Sequence, residues 1–220
     1  MIPTGATFGP AAFMAAWAGG LALTLPLAVR WQVAKRGYQM LGAGTAVLLM
    51  IYPALRSWWA AAGLVLVLFG VGRSGRRGYS GLVAVGAVFT LVSSVLSAGW
   101  LSTIASGAAL GGITATMLLG HWFLVDPTLP RWAVRRLDLL SGAGLVLSVV
   151  AGWLNGAVPY EGGALGWTLA GLAMVGAALV AGAWFALGET GYSGVMAATG
   201  LSYLGVVTIA GVVFLNHLMV

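Results

Sequence analysis

Charged side chains are scarce in this sequence. Lys, Arg, Asp and Glu make up 6% of the 220 residues, whereas hydrophobic residues make up 60%. A soluble globular domain carries about 25% charged residues, so this chain has too few to cover a surface that faces water. A helix needs roughly 20 apolar residues to cross a bilayer, and runs of that length use up most of the chain. The sequence therefore predicts an integral membrane protein.

Cysteine is absent, and histidine occurs only as His121 and His217. The chain consequently has no disulfide, no thiolate nucleophile and no cysteine-held zinc or iron–sulfur cluster. No carboxylate lies at the centre of an apolar run, where ion-coupled transporters generally place one. Walker loops, dinucleotide fingerprints and zinc-protease motifs are also missing. Without a complete catalytic set, the chain is expected to have no catalytic activity of its own.

Apolar segments separated by short loops predict an all-α, polytopic protein with about eight transmembrane helices. The segments are apolar on every face, whereas a membrane-spanning strand alternates polar and apolar residues. They cover residues 10–29, 37–55, 58–72, 80–100, 103–125, 137–153, 166–187 and 193–218.

Basic residues are concentrated in the loops after the first, third and fifth segments, which lie on one side. This side carries Arg30, Lys35, Arg36, Arg73, Arg76, Arg77, Arg131, Arg135 and Arg136, and only Arg56 lies opposite. The positive-inside rule makes the basic side cytoplasmic and places both termini outside. Since topology explains the net charge of +6, nucleic acid is not an expected partner. The short loops and the composition favour a bacterial inner membrane.

An internal duplication is indicated by motifs that recur in order. The first copies are Arg30-Trp31, Lys35-Arg36, Gly42-Ala43-Gly44 and Gly78-Tyr79-Ser80-Gly81; the second are Arg131-Trp132, Arg135-Arg136, Gly142-Ala143-Gly144 and Gly191-Tyr192-Ser193-Gly194. The change in offset places extra residues around the loop 155–166. We predict two tandem four-helix repeats, 1–102 and 103–220, which have parallel orientation because each has an even number of helices.

The stretch 118–136 holds the candidate site residues His121, Trp122 and Asp126. The imidazole of His121 can ligate haem, bond a quinone carbonyl or relay protons with Asp126. The alternative is an interfacial histidine bonded to a loop carbonyl. His217 belongs to the opposite side, so the two histidines are not expected to share one haem. Any cofactor here is a quinone, or a haem shared with another subunit, and the sequence itself requires none.

The remaining polar residues have structural interpretations. Arg131, Arg135, Arg136, Arg73, Arg76 and Arg77 are candidates to contact lipid headgroups or a partner surface. Asp138 follows Arg135 by about one turn, which predicts an interfacial ion pair. Hydroxyl side chains within the segments are expected to bond to their own helix or to link helices. Ser80 and Ser193 are expected to act as helix N-caps.

Three functions fit these observations. The first is an accessory or scaffold subunit of a larger energy-conserving or redox membrane complex, with membrane lipids and other membrane subunits as partners. In this function His121 would help to line a quinone or haem pocket. The second is a transporter or channel for a small neutral or lipid-like solute between the two four-helix halves. The third is a lipid-modifying enzyme that uses His121 and Asp126.

Overall fold

The computed structural model describes residues 9–154 and 163–218. Eight α-helices fill these two ranges, so the all-α fold is confirmed: α1 (Pro10–Arg30), α2 (Arg36–Ala54), α3 (Trp58–Gly72), α4 (Tyr79–Ala98), α5 (Trp100–Val125), α6 (Arg131–Leu154), α7 (Gly163–Ala186) and α8 (Tyr192–Leu218). Most of the loop 155–166, to which the extra residues of the second half were assigned, lies outside the described residues.

Six of the helices are long and apolar enough to cross a membrane, which identifies an integral membrane protein: α1, α4, α5, α6, α7 and α8. Helix α3 has 15 residues and is therefore about 22 Å long, short of the roughly 30 Å of bilayer hydrocarbon. Helix α2 has 19 residues but opens with Arg36 and also carries Gln39 and Thr45.

Two local predictions are wrong. Helix α6 begins at Arg131 rather than at residue 137, so the cluster Arg131, Arg135 and Arg136 lies within the first turns of a helix. Basic residues there oppose the helix dipole, and the contacts described below compensate for this. Ser80 is not an N-cap, because Gly78 precedes the helix in a left-handed conformation (φ 92°) and no side chain caps it. Ser193 is not one either, because α8 already begins at Tyr192.

The helices pack in two similar groups. In the first, α1 and α3 each pack on α2 and α4; in the second, α5 and α7 each pack on α6 and α8. The groups meet mainly where α1 packs on α5. These two helices run parallel, because Gly107 of α5 lies beside Ala16 and Gly20, whereas Gly111 lies beside Gly20 and Leu21.

Small residues allow the central helices to approach closely. A Cβ added to Gly20 would overlap the carbonyl of Gly107, and one added to Gly112 of α5 would lie 2.7 Å from the backbone nitrogen of Ser141. In lipid, where apolar surface gains little from leaving the solvent, helices associate through this kind of close packing.

The hydroxyl groups behave as expected. Thr116, Thr199, Ser202, Thr208 and Ser97 donate to carbonyls of their own helices. Three further hydroxyl groups link helices: Ser94 donates to the Ala12 carbonyl, Thr114 accepts from the Trp17 indole, and Ser148 accepts from the Asn216 amide.

The connections 31–35, 73–78, 126–130 and 187–191 share one end of the bundle, which we call the basic end. Contacts join these connections: Lys35 pairs with Asp126, Gly75 donates to the Gln39 side chain, and Arg131 donates to the Glu189 carbonyl. The described chain begins and ends at the opposite end, where Ala12 lies beside Ser94. The predicted clustering of basic loops is therefore a property of the fold.

Candidate functional site

Ionic and cation–carbonyl contacts hold the basic end together. The Lys35 ammonium pairs with the Asp126 carboxylate across the two helix groups. Arg131 donates to the backbone carbonyls of Glu189, Thr190 (2.6 Å) and Gly191 (3.1 Å). These carbonyls belong to the connection between α7 and α8, so Arg131 ties the start of α6 to that turn.

Aromatic rings also make contacts at the basic end. The rings of Trp31 and Trp132 meet edge to face with centroids 5.5 Å apart. The Arg136 guanidinium lies over both, 4.8 Å from the Trp132 centroid and 5.7 Å from that of Trp31. Such cation–π contacts satisfy an arginine that would otherwise face the positive end of its own helix dipole.

Asp126 has an altered acidity. The Lys35 side chain and the Thr128 hydroxyl, which donates at 2.6 Å, bond to its carboxylate and lower its pKa below the usual range. Both partners favour the charged form of the acid. The Asp126 carboxylate is therefore occupied by its ion pair with Lys35 and its bond to Thr128 in the turn, and it does not point towards a ligand site.

His121 lies on the outer surface near the end of α5. Its Nδ1 is 3.4 Å from the Tyr203 hydroxyl of α8, and both side chains are exposed. Within the two described ranges, Nε2 has no bonding partner. The imidazole is consequently open to whatever lies beside α5 and α8.

Trp122 faces a different neighbour. Its ring packs on α2, where a Cβ added to Gly37 would overlap it, and its buried Nε1 has no hydrogen-bond partner in the described chain. His121 faces α8, Trp122 faces α2, and Asp126 is held by Lys35. The three candidate residues are neighbours at one end of α5, but their side chains do not converge on one pocket.

The other candidate residues are distributed as follows. Arg73, Arg76 and Arg77 are exposed at the basic end, where they can contact headgroups or a partner. His217 lies at the opposite end, with Nε2 at 3.2 Å from Ser106. No cluster of His, Cys, Asp and Glu able to hold a metal occurs among the residues the structure describes.

The predicted ion pair between Arg135 and Asp138 is not formed in the described part of the chain, where the only ion pair joins Lys35 to Asp126. The Arg135 guanidinium lies instead over the Trp184 ring of α7, 3.9 Å from its centroid. Asp138 is fully buried, and neither carboxylate oxygen has a hydrogen-bond partner. The buried Arg135 Nε has none either.

Asp138 lines a groove of about 770 Å³ between α6 and α7, which we call the α6–α7 groove. Its other lining residues are apolar and include Val146 and Val150 of α6 and Met174, Ala177 and Trp184 of α7. Val146 and Met174 are exposed, so the groove opens on the outer surface of the bundle. Sequence reasoning missed this groove, because nothing along the chain indicated that Arg135 would stack on Trp184 rather than pair with Asp138.

Comparison of this chain with protein-family models, with characterised proteins and with solved structures found no match.

Proposed function

We propose that the protein is an accessory or scaffold subunit of a larger energy-conserving or redox membrane complex. The observation that carries the proposal is the exposed pair His121 and Tyr203 on the outer face of two membrane-spanning helices. In this function, the pair forms one wall of a quinone or haem pocket that a partner subunit completes.

The chemistry of the pair supports this role. Polar groups that face lipid are costly, and within membrane segments they generally mark a functional contact. An imidazole whose Nδ1 is near a tyrosine hydroxyl retains Nε2 to bond a quinone carbonyl or ligate haem iron. A second wall is needed because Trp122 and Asp126 point elsewhere and contribute nothing to this surface.

The finer architecture belongs to the same proposal. We infer that all eight helices cross a bacterial inner membrane, that the basic end is cytoplasmic, and that both termini lie outside. We also infer that the chain is two tandem four-helix repeats. The matching order of helix contacts in the two groups supports the duplication, and the nearly one-sided distribution of basic residues supports the orientation.

The alternative function, a solute path between the two halves, needs space along the contact of α1 with α5. That contact is closed where Gly20 meets Gly107 and Gly111. A path there would require the two central helices to separate and lose their closest packing. This argues for the accessory subunit over the transporter.

Extraction of the native protein in mild detergent from its own host tests the proposal. We expect stable comigration with redox subunits and a cofactor absorbance that His121→Ala abolishes. Leu96→Ala serves as the matched control because Leu96 is exposed on α4, away from His121. Recovery as a lone monomer or homo-oligomer, or a cofactor spectrum indifferent to His121→Ala, would show that the proposal is wrong.

A further inference from the structure

Helices α1 and α6 border a seam between the two helix groups. Both pack on α5, but within the described ranges they have almost no contact with each other along their lengths. They meet at the basic end, where α1 ends and α6 begins, through the rings of Trp31 and Trp132. The surface that extends from this pair away from the basic end is called the α1–α6 seam, and it consists of Leu23, Leu27, Arg30, Arg136, Leu140, Ala143 and Leu147.

The α1 face of the seam carries one arginine and two leucines. Leu23, Leu27 and Arg30 are spaced by four and three residues, so their side chains share one face of the helix. All three are exposed. Since α1 ends at Arg30, Leu27 and Leu23 lie about 4.5 Å and about 10.5 Å further from the basic end, at 1.5 Å per residue. This face therefore changes from cationic to apolar with distance from the basic end.

The α6 face has the same order. Leu140, Ala143 and Leu147 follow Arg136 by four, seven and eleven residues, which aligns them on one face of the helix. The Arg136 guanidinium lies over the Trp31 ring, so this face adjoins the end of α1. From Arg136 to Leu147 it is about 16 Å long at 1.5 Å per residue. Half of a hydrocarbon core of roughly 30 Å is about 15 Å, so the face has the depth of one leaflet.

The two arginines of the seam, Arg30 and Arg136, have no anionic partner. In the part of the chain that the structure describes, the single ion pair joins Lys35 to Asp126. Arg136 contacts only two tryptophan rings there, and its N–H groups donate to no oxygen. Both arginines are exposed, so a ligand can reach their guanidinium groups. Two accessible, unpaired cations at the end of an apolar surface attract a ligand with net negative charge.

The order of groups along the seam matches that of a phospholipid. The arginines and the pair Trp31 and Trp132 lie at the basic end, and tryptophan prefers the level between headgroups and acyl chains. A phosphate at this level meets the guanidinium groups, and the acyl chains below it meet the apolar side chains. A zwitterionic headgroup adds an ammonium or choline group, which the arginines repel. The seam should therefore select phospholipids whose headgroups carry a net negative charge.

We propose that the α1–α6 seam binds an anionic phospholipid, with its phosphate at Arg30 and Arg136 and its acyl chains along the apolar side chains of α1 and α6. The Arg136 guanidinium is already held by two indole rings, so binding costs little side-chain entropy. Because α1 and α6 belong to different helix groups, the lipid fills a junction between the two groups. The proposal is independent of the redox complex, since His121 lies beside Tyr203 of α8.

Photocrosslinking from one position tests the proposal, because the chain has no cysteine of its own. Leu27→Cys is labelled with a benzophenone maleimide, and the protein is reconstituted in vesicles of equimolar phosphatidylglycerol and phosphatidylcholine with identical acyl chains. After irradiation, the adduct masses report which lipid lies beside the label. We expect phosphatidylglycerol adducts to exceed phosphatidylcholine adducts about five-fold, the contribution of one arginine at a membrane surface.

A second cysteine position controls for the general enrichment of anionic lipid around the basic end. Leu41→Cys on α2 is matched, because Leu41 is 39% exposed and Leu27 is 40% exposed, and both lie within two turns of the basic end of their helices. The ratio of adducts should be lower at Leu41→Cys. Equal ratios at the two positions, or a ratio near one at Leu27→Cys, would overturn the proposal.

Arginine variants in the Leu27→Cys background test the phosphate contact. We expect Arg136→Gln to reduce the ratio towards one and Arg136→Lys, which keeps the charge, to retain most of it. Arg36→Gln is the matched control: it removes an exposed arginine from the same end, whose side chain lies against Gly75. Equal effects of Arg136→Gln and Arg36→Gln would contradict the assignment. An unchanged unfolding temperature confirms that each variant is folded, and Arg30→Gln replaces Arg136→Gln if that variant is not.

Discussion

Asp126 and Asp138 both lie close to basic residues in the sequence, but the Asp126 carboxylate has bonding partners and the Asp138 carboxylate has none. Asp126 lies in a connection, where Lys35 and Thr128 bond to it. Asp138 lies inside α6, where its expected partner is stacked on a tryptophan. Sequence spacing predicted an ion pair between Arg135 and Asp138, which is not formed in the described chain. It did not predict the pair between Lys35 and Asp126, because these two residues are distant along the chain.

The lowered pKa of Asp126 has a consequence for stability. A carboxylate whose folded-state pKa is below its unfolded value of about 3.9 stabilises the fold above that value. This contribution is lost as the pH falls through the folded pKa. We therefore expect Asp126→Asn to lower the unfolding temperature in detergent at pH 7, and the difference from wild type to shrink below about pH 4.

The effect should be modest, because Lys35 is largely exposed and surface ion pairs contribute little. Glu189→Gln is the control: Glu189 is an exposed acid at the same end, and in the described chain its contact with Arg131 uses the backbone carbonyl. It should show no such pH-dependent difference. A constant difference between wild type and Asp126→Asn from pH 6 to pH 3 would contradict the assignment.

At the scale of the helix, hydropathy predicted most of what is observed. The α3 segment was predicted with the boundaries it has, and six helices carry the length and apolarity of membrane spans. The start of α6 was missed because arginines suggested a loop. In the helix these arginines are stabilised by Trp132 of α6 itself and by groups of other elements, the Trp184 ring and the carbonyls of residues 189–191. The hydropathy pattern does not predict contacts between helices, so it did not predict the α6–α7 groove.

The contact of α1 with α5 yields a prediction at this scale. Gly20→Ala should separate the two helices, because the added methyl overlaps Gly107, and overpacking of this kind costs about 1–3 kcal/mol. Gly44→Ala is the matched control, since nothing lies within 4 Å of an added Cβ there. Alanine at that position should be neutral or stabilise α2 by up to about 1 kcal/mol.

Thermal unfolding in detergent measures both variants. Equal stability of Gly20→Ala and wild type would mean that α1 and α5 are not held by close backbone packing. It would also reopen the contact between the two groups as a route for a solute.

At the scale of the whole molecule, the proposed duplication pairs each position of the first helix group with one of the second, so that equivalent residues can be compared. The alignment of the two halves that matches residues 42–44 with 142–144 also matches Tyr38 with Asp138. Both side chains are fully buried, and neither has a hydrogen-bond partner for its side-chain oxygens. The same position thus carries an unpaired oxygen in each half, and in the second half it lines the α6–α7 groove.

The orientation of the whole molecule can be measured directly because the chain has no cysteine. Thr190→Cys places a thiol in an exposed connection at the basic end, and Leu55→Cys places one in an exposed position at the other end. Neither substitution changes the charge on which the positive-inside rule depends. In intact cells, a membrane-impermeant maleimide should label Leu55→Cys and spare Thr190→Cys until the membrane is permeabilised. The opposite pattern would place the basic end and its arginines outside, and equal labelling of both in intact cells would mean that the two ends are not on opposite sides of the membrane.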